Sequence, residues 1–215
     1  MGQHFSHLDN RSWQEELTRL QAAADGDRER WQRRRAREFS AHSSSPDSLI
    51  RMGEFYLAVS ANEGRLLYLL ARAARGRYIV EFGASYGVST LFLGAAALDN
   101  GGQLVTTEVH PDKCQAVRQT LRQAELESCV TLLEGDALET LPTQEPGFDM
   151  FFLDGWKSQY LPLLTRVEPL LSPMALVVAD NAFHEAAADY TDYMTTNRRW
   201  FSHRVGKMLV SVQSG

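Results

Sequence analysis

The sequence predicts an α/β protein with a doubly wound, mostly parallel, Rossmann-like sheet and an antiparallel edge at its C-terminal end. Two observations predict this fold. Five short apolar runs alternate with helical segments, and such runs are typical of strands that are buried on both faces of a parallel sheet. Residues 200–212 then contain two further β-like pieces around Gly206, and these are placed to pair as the antiparallel edge.

The predicted strands follow one another after residue 77. They are residues 78–82, 104–108, 130–133, 148–153 and 175–179. Before the first strand, Asn62 is in a position to cap a helix whose apolar face includes four leucines. Pro111 is well placed in the first turn of the helix that follows the second strand.

The first 46 residues differ from the rest and are interpreted as an N-terminal helical extension, which leaves residues 47–215 as the α/β domain. Trp13, Leu17 and Leu20 fall at helical spacing in a polar background, which indicates an amphipathic helix. A run with six arginines between residues 28 and 37 follows. A solvated helix face is favoured over a contact with RNA or with an acidic partner for this run, because the net charge of the chain is −5.

The composition is that of one globular domain: 215 residues, of which 44% are hydrophobic and 23% charged. Cys114 and Cys129 are too few for a disulfide framework, which favours a reducing, cytoplasmic location. The N-terminus has no apolar run that resembles a signal peptide, and no stretch approaches the roughly 20 apolar residues that span a bilayer. We therefore expect no membrane partner, and the acidic total argues against nucleic acid.

The turn after the first strand is the first candidate ligand site, because ligands of open α/β sheets bind outside the carboxyl ends of the strands. Gly83 and Gly87 allow the backbone to approach a ligand closely. A dinucleotide fingerprint would need glycines at positions 83, 85 and 88, but Ser85 and Val88 stand at the last two. This mismatch argues against NAD and therefore against a dehydrogenase.

Two carboxylates at the next strand ends favour a nucleoside. Glu108 ends the second strand and is placed to take both hydroxyls of a ribose, and Asp136 follows the third strand, where an adenine edge would lie. Nothing in the sequence resembles a phosphate cradle, so the ligand is a nucleoside without phosphates, and S-adenosylmethionine fits. Glu81 and the N–H groups of the glycine turn are expected to bind its ammonium and carboxylate.

Oxygen-bearing side chains also end the fourth and fifth strands. Asp154 ends the fourth, and Asp180 and Asn181 end the fifth. If these strands are neighbours, three hard oxygen ligands converge without histidine or cysteine, which suits Mg²⁺ or another divalent cation better than zinc. An isolated Asp-Asn pair is more often a turn or a cap, but the matching Asp154, with Lys157 one turn beyond it, favours a metal site.

At these residues the sequence resembles the cation-dependent O-methyltransferases of the catechol and caffeoyl-coenzyme A type. The resemblance runs from about residue 59 to residue 181, and more loosely to the end. Its motifs are Val59-Ser-Ala-Asn-Glu-Gly64, Val80-Glu-Phe-Gly-Ala-Ser-Tyr-Gly-Val-Ser89, Thr107-Glu108, Glu134-Gly-Asp136, Leu153-Asp-Gly-Trp-Lys157 and Ala179-Asp-Asn181.

The resemblance implies a Mg²⁺-dependent transfer of a methyl group from S-adenosylmethionine to a hydroxyl of a small, catechol-like aromatic. Residues 47–215 would then be the methyltransferase domain. The residues that it assigns to the cofactor site are Val59, Glu81, Gly83, Ala84, Ser89, Glu108, Val109, Asp136, Ala137 and Asp154. It also implies that Asp154, Asp180 and Asn181 hold the metal and that Lys157, beside Asp154, is the catalytic base.

Other hypotheses stay open at this point. The same chemistry directed at a tRNA hydroxyl would use the N-terminal arginines, and an inert S-adenosylmethionine-binding interaction protein would have no need of a metal or a base. A homodimer is expected from the resemblance and from the apolar face of the extra helix. Because residues 195–207 contain no acid, the acceptor is hypothesised to be anionic, although cations also protect solvated edge strands. The cations of this segment are Arg198, Arg199, His203, Arg204 and Lys207.

Overall fold

A computed structural model of the chain describes residues 6–38, 55–56 and 58–214, and between residues 28 and 38 only the backbone is described. Within these ranges the strands are β1 (Tyr78–Phe82), β2 (Gln103–Glu108), β3 (Val130–Glu134), β4 (Phe148–Leu153), β5 (Leu171–Ala179), β6 (Trp200–Val205) and β7 (Met208–Gln213). They form one sheet in the order β3-β2-β1-β4-β5-β7-β6. Strands β1 to β5 are parallel, and β7 is antiparallel to both β5 and β6. The predicted fold class is confirmed.

The helices lie between the strands and before them. They are α1 (Arg11–Glu38), α2 (Ala61–Ala73), α3 (Val88–Asp99), α4 (Pro111–Gln123), α5 (Ala137–Thr140), α6 (Tyr160–Val167) and α7 (Ala188–Thr196). Pro111 begins α4, as predicted. The expected cap of α2 is wrong, because Ser60 and not Asn62 is the N-cap. The Ser60 hydroxyl accepts from the Glu63 N–H while the Glu63 carboxylate accepts from the Ser60 N–H, and this reciprocal pair satisfies two otherwise unpaired donors.

Both faces of the sheet are covered by helices, which explains the near-continuous apolar character of its central strands. Ile79 and Phe152 belong to the core beneath α2 and α3, whereas Val80 and Phe151 belong to the core beneath α6 and α7. All four side chains are fully buried. The helices therefore form one layer on each side of the sheet, as in a doubly wound fold.

The strand order reverses at β1, which lies between β2 and β4. Phe82, the last residue of β1, pairs with Thr107 on one side and with Leu153 on the other. The residues that follow these strand ends, Gly83 and Asp154, therefore stand beside Glu108 at one edge of the sheet. This edge is the position where open α/β sheets bind their ligands.

The N-terminal helix α1 packs on its own domain, against α3 and α4. The indole N–H of Trp13 donates to the Leu91 carbonyl at 3.0 Å, and its ring meets Phe92 edge-on at 5.1 Å. Leu17 and Leu20 are buried in the same core. Trp13, Leu17 and Leu20, which belong to the apolar face that suggested a dimer, are thus covered within the chain. The division at residue 46 and the side chains of the arginine run lie outside the described residues.

The two cysteines are free and buried. Burial raises the pKa of the Cys114 thiol and of the Cys129 thiol to about 11, so both stay protonated near neutral pH. They behave as packing residues. Among the helices in the described part of the chain, none combines the length and the apolar character that crossing a bilayer requires.

Candidate active site

A cavity of about 350 Å³ opens at the carboxyl ends of β1, β2, β3 and β4. Nine of the ten residues predicted to bind the cofactor line it. They are Val59, Gly83, Ala84, Ser89, Glu108, Val109, Asp136, Ala137 and Asp154. The tenth, Glu81, is not on the cavity wall, whereas Trp156 is.

The turn after β1 requires glycine because two strand ends touch there. Gly83 has a φ of +96°, and a Cβ atom on it would lie 2.8 Å from the Cα of Gly155, which follows β4. A side chain at either position would push the two turns apart. The next residues of the turn include Ser85, whose φ is +50° and whose hydroxyl donates to the Tyr56 carbonyl at 2.8 Å. The turn is therefore fixed in one conformation against the cavity.

The Glu108 carboxylate is held by backbone N–H groups. Its Oε2 accepts from Ser85 at 2.9 Å, and its Oε1 accepts from Val109 and His110, each at 2.9 Å. A carboxylate offers about four acceptor sites, so one remains for a ligand. Asp136, at the end of β3, is likewise partly used, because its side chain caps α5 through the Leu138 N–H.

Glu81 is not where the sequence analysis expected it. Its side chain is fully buried under the cavity, where its Oε2 accepts from the hydroxyls of Thr90 and Thr106 at 2.6 Å each. Its Oε1 has no hydrogen-bond partner among the described residues. Burial raises the pKa of Glu81, although neighbouring hydroxyls oppose the rise. The two hydrogen bonds from Thr90 and Thr106 show that the Glu81 carboxyl points toward α3, and they link this helix to β1 and β2.

The ends of β4 and β5 bring the predicted metal ligands together, since Leu153 pairs with Ala179. Asp180 is 2% exposed, and its Oδ2 accepts from the Asn181 amide at 2.7 Å and from the Lys207 ammonium at 3.0 Å. Burial raises the pKa of the Asp154 carboxyl well above its usual range. The Lys157 ammonium opposes the rise, and the neighbouring Asp180 carboxylate adds to it.

These residues fit a divalent cation. The Oδ1 atom of Asp180 is buried without a hydrogen-bond partner among the described residues, and a positive ion would satisfy it. Two carboxylates and a carboxamide are the donor set that Mg²⁺ and similar hard cations prefer. No three His, Cys, Asp or Glu side chains of the described ranges form such a group, so the set depends on Asn181 as its third member.

Lys157 is held beside Asp154 by a residue that sequence reasoning missed. Its Nζ donates to Asp154 Oδ1 at 3.0 Å and to the Tyr160 hydroxyl at 2.6 Å. That hydroxyl lies 2.8 Å from the Leu153 carbonyl and 2.9 Å from the Asp180 carbonyl, to either of which it donates. Burial raises the pKa of Tyr160 far above its usual value, so it stays a hydroxyl and links the two strand ends. The sequence indicated this contact only through the spacing of three residues between Lys157 and Tyr160.

Tyr56, Tyr86 and Lys113 also line the cavity and were not predicted from the sequence. The rings of Tyr56 and Tyr86 are stacked, with centroids 4.0 Å apart and planes 14° apart. Lys113, in the first turn of α4, lines the same cavity and is 6% exposed. The sequence contained an indication for Lys113, because a basic side chain two residues after a helix-starting proline lies at the positive end of that helix.

The cations of the C-terminal segment are in different environments. Arg199 pairs with Glu168 at 3.3 Å. The Arg204 guanidinium lies 4.1 Å from the centre of the Phe183 ring. Lys207 reaches Asp180 and also pairs with Glu63 at 3.2 Å. Lys207 therefore contacts a predicted metal ligand directly, and Arg204 packs on a ring two residues after Asn181.

Comparison with known proteins agrees with this geometry. Residues 80–182 match the family described as "Methyltransferase domain". The chain is 34% identical over 152 residues to the catechol O-methyltransferase of Niastella koreensis, a match that covers 69% of this chain and 68% of that protein. It is 36% identical over 126 residues to the catechol O-methyltransferase of Mycobacterium tuberculosis, covering 58% and 57%.

Solved structures share the fold. An O-methyltransferase from Bacillus cereus in complex with S-adenosylhomocysteine superposes with a TM-score of 0.68 at 20% identity, covering 91% of this chain and all of that one. The O-methyltransferase TomG from Streptomyces achromogenes, in complex with S-adenosylmethionine, gives 0.67 at 24% identity, covering 91% and 99%.

The fold, the cavity and the matching family define an S-adenosylmethionine-dependent methyltransferase. Within this class, the chain belongs to the O-methyltransferase family that includes catechol O-methyltransferase. The resemblance inferred from the motifs is therefore confirmed. The alignment spans less than two thirds of the mycobacterial relative's own length.

Proposed function

We propose that the protein transfers the methyl group of S-adenosylmethionine to a hydroxyl of a small, catechol-like aromatic, with a divalent cation such as Mg²⁺ beside the acceptor. One observation carries this proposal. Asp154 lies both on the cavity wall and next to Asp180 and Lys157, so a nucleoside site and a set of hard oxygen ligands share one edge of the sheet.

The nucleoside would lie over the ends of β1, β2 and β3. Glu108 supplies an acceptor for the ribose, and Val109 and Ala137 supply apolar walls for the adenine. The amino-acid carboxylate would meet Ser89 and the N-terminus of α3, where unpaired N–H groups and the helix dipole favour an anion. This arrangement directs the sulfonium toward Asp154.

The acceptor would lie over the ends of β4 and β5. When bound by Asp154, Asp180 and Asn181, the divalent cation supplies charge stabilisation for the acceptor oxygen as its proton leaves. Lys157 is the proposed acceptor of that proton at Nζ, and Tyr160 keeps this nitrogen in place. Positioning of the donor methyl and the acceptor oxygen at attack distance contributes roughly 7–11 kcal/mol of the reduction in barrier.

A methyl-transfer assay tests the proposal. Labelled S-adenosylmethionine is incubated with a panel of catechols, in Mg²⁺ and in EDTA. We expect methylation of the catechols that is lost in EDTA and restored by excess Mg²⁺. Cofactor binding without any methylation would instead favour the inert binding protein, and full activity in EDTA would contradict the metal.

The location, the RNA hypothesis and the oligomeric state remain predictions. The free cysteines are typical of a reducing compartment such as the cytoplasm. Binding of tRNA that weakens steeply with salt would support the tRNA hypothesis. A homodimer would need a surface other than the Trp13 face of α1, which the chain itself covers. Light scattering decides the last point, since a monomer weighs 24.2 kDa.

A further inference from the structure

Lysine is rare in this chain, and its positions are not random. The sequence has three lysines among its 22 basic residues, and the other 19 are arginines. Lys157 contacts Asp154, Lys207 contacts Asp180, and Lys113 lines the cavity. Lysine carries a compact ammonium that arginine cannot replace in a confined space. The first two ammonium groups have carboxylate partners, whereas Lys113 has no such explanation.

Lys113 is a nearly buried cation whose one charge-related contact among the described residues is with the Tyr86 ring. It is 6% exposed, and its Nζ lies 5.5 Å from the centre of the Tyr86 ring. Within the described residues it makes no hydrogen bond and no ion pair. It is also the one lysine or arginine among the described residues that line the cavity. Lysines are almost never buried in this way unless they are paired.

The position of Lys113 in the fold is unfavourable in free energy for a positive charge. Lys113 is the third residue of α4, where the positive end of the helix dipole disfavours a further positive charge. Burial lowers its pKa, which the carboxylates of Glu108 and Asp154 partly oppose. A group held under these conditions is stabilised when a ligand brings an oxygen acceptor into the cavity.

We propose that Lys113 is a cofactor-binding residue, which donates a hydrogen bond to a hydroxyl oxygen of the S-adenosylmethionine ribose. The inference rests on the proposed function. Three of the roughly four acceptor sites of Glu108 are used by backbone N–H groups, so that carboxylate can accept from one ribose hydroxyl. The oxygens of the two ribose hydroxyls can also accept a hydrogen bond. Lys113 is placed to donate it, because it follows Glu108 by five residues at the same strand end.

Two ligands distinguish a contact of Lys113 with the ribose from a contact with the amino-acid carboxylate. S-adenosylhomocysteine and 5′-methylthioadenosine share the nucleoside, but only the first has the amino acid. In calorimetric titrations, Lys113→Met should weaken both by the same factor, about tenfold or more, because each loses a charge-assisted hydrogen bond at the ribose. Weakening of S-adenosylhomocysteine alone would move the contact to the carboxylate and overturn the proposal, as would unchanged affinity for both.

Controls separate this outcome from misfolding and from failure of the proposed function. Arg118 is an exposed cation on the same helix and pairs with Glu134. Arg118→Met should leave the affinities for S-adenosylhomocysteine and 5′-methylthioadenosine unchanged. Lys113→Gln keeps a neutral donor and should give an intermediate loss, and it decides the matter if Lys113→Met does not fold. If the unmodified protein binds neither ligand, the proposed function itself fails. If it binds both and the variants do too, only the role of Lys113 fails.

Discussion

The proposed nucleoside site, here called the nucleoside end, and the proposed acceptor site at the ends of β4 and β5, here called the acceptor end, differ in what stabilises their carboxylates. At the nucleoside end, Glu108 accepts from three backbone N–H groups. At the acceptor end, Asp154 and Asp180 accept from the ammonium groups of Lys157 and Lys207. Backbone donors are fixed by the fold, whereas ammonium groups stand on flexible stems that can move. The first end is built to keep one shape, and the second can exchange partners during a reaction.

The boundary between the two ends is a point of rigid contact. The turns at Gly83 and Gly155 approach so closely that a Cβ atom on Gly155 would lie 2.4 Å from the Phe82 ring. The Tyr160 hydroxyl links the ends of β4 and β5 through its contacts with the Leu153 and Asp180 carbonyls. Changes at one end should therefore have little effect at the other. The predictions below test this separation, beginning with the largest expected effect.

Removal of the buried carboxylate at the acceptor end should abolish turnover. Asp180→Ala deletes a predicted metal ligand, so we expect methyl transfer to fall at least about a hundredfold. The dissociation constant of S-adenosylmethionine, measured by calorimetry, should stay within about twofold. Asp192→Ala removes an exposed carboxylate from α7 and serves as the matched control. A large loss of cofactor binding in Asp180→Ala would contradict the separation.

Removal of the carboxylate at the nucleoside end should act on binding. Glu108→Ala should weaken S-adenosylhomocysteine at least about tenfold, because a charge-assisted contact is lost and the turn loses its acceptor. At saturating cofactor, turnover should change by less than about threefold. Glu134→Ala is the control. Glu134 is the residue of β3 that lies next to Glu108 in the strand register, but its side chain forms an ion pair with Arg118. An unchanged dissociation constant in Glu108→Ala would make this carboxylate a structural cap only.

The sequence predicted the strands and nine residues of the cavity wall, because both follow from local patterns. Apolar runs identify buried strands, and in a parallel sheet their carboxyl ends must share an edge. The direction of Glu81 was not predictable, because a strand buried on both faces has no polar alternation that assigns its faces. The Glu63–Lys207 ion pair joins residues far apart in the chain, and no local pattern indicates such a contact. The spacing between Lys157 and Tyr160 indicated only the contact between these two residues, and no local pattern indicates the hydrogen bonds of the Tyr160 hydroxyl to the backbone carbonyls of two strand ends.

The hypothesis of an anionic acceptor predicts a smaller effect. Arg204 packs on Phe183, which follows the predicted metal ligand Asn181 by two residues, and its guanidinium would pair with a carboxylate on an anionic acceptor. If the acceptor is anionic, dihydroxybenzoate should have a lower KM than catechol, and Arg204→Ala should raise the KM of the acid about fivefold. Arg199→Ala is the control, because its guanidinium pairs with Glu168. Equal KM values for the two substrates would make Arg204 a solvated residue of the edge strand.

The smallest effect is expected at Glu81, beneath the nucleoside end. Burial raises its pKa above the value of about 4.3 in an unfolded chain, so the folded state holds this proton more tightly. Its contribution to stability is therefore complete below about pH 4 and is lost as the pH rises through the raised pKa. Glu81→Gln removes this titration while keeping an acceptor for Thr90 and Thr106. Thermal unfolding should show the variant about 2 °C or more above the unmodified protein at pH 8, and no such advantage at pH 4. Because Glu81 does not line the cavity, cofactor affinity should stay within about twofold. A tenfold loss would instead support the ammonium contact that the sequence suggested, and would show that the nucleoside end reaches deeper than its wall.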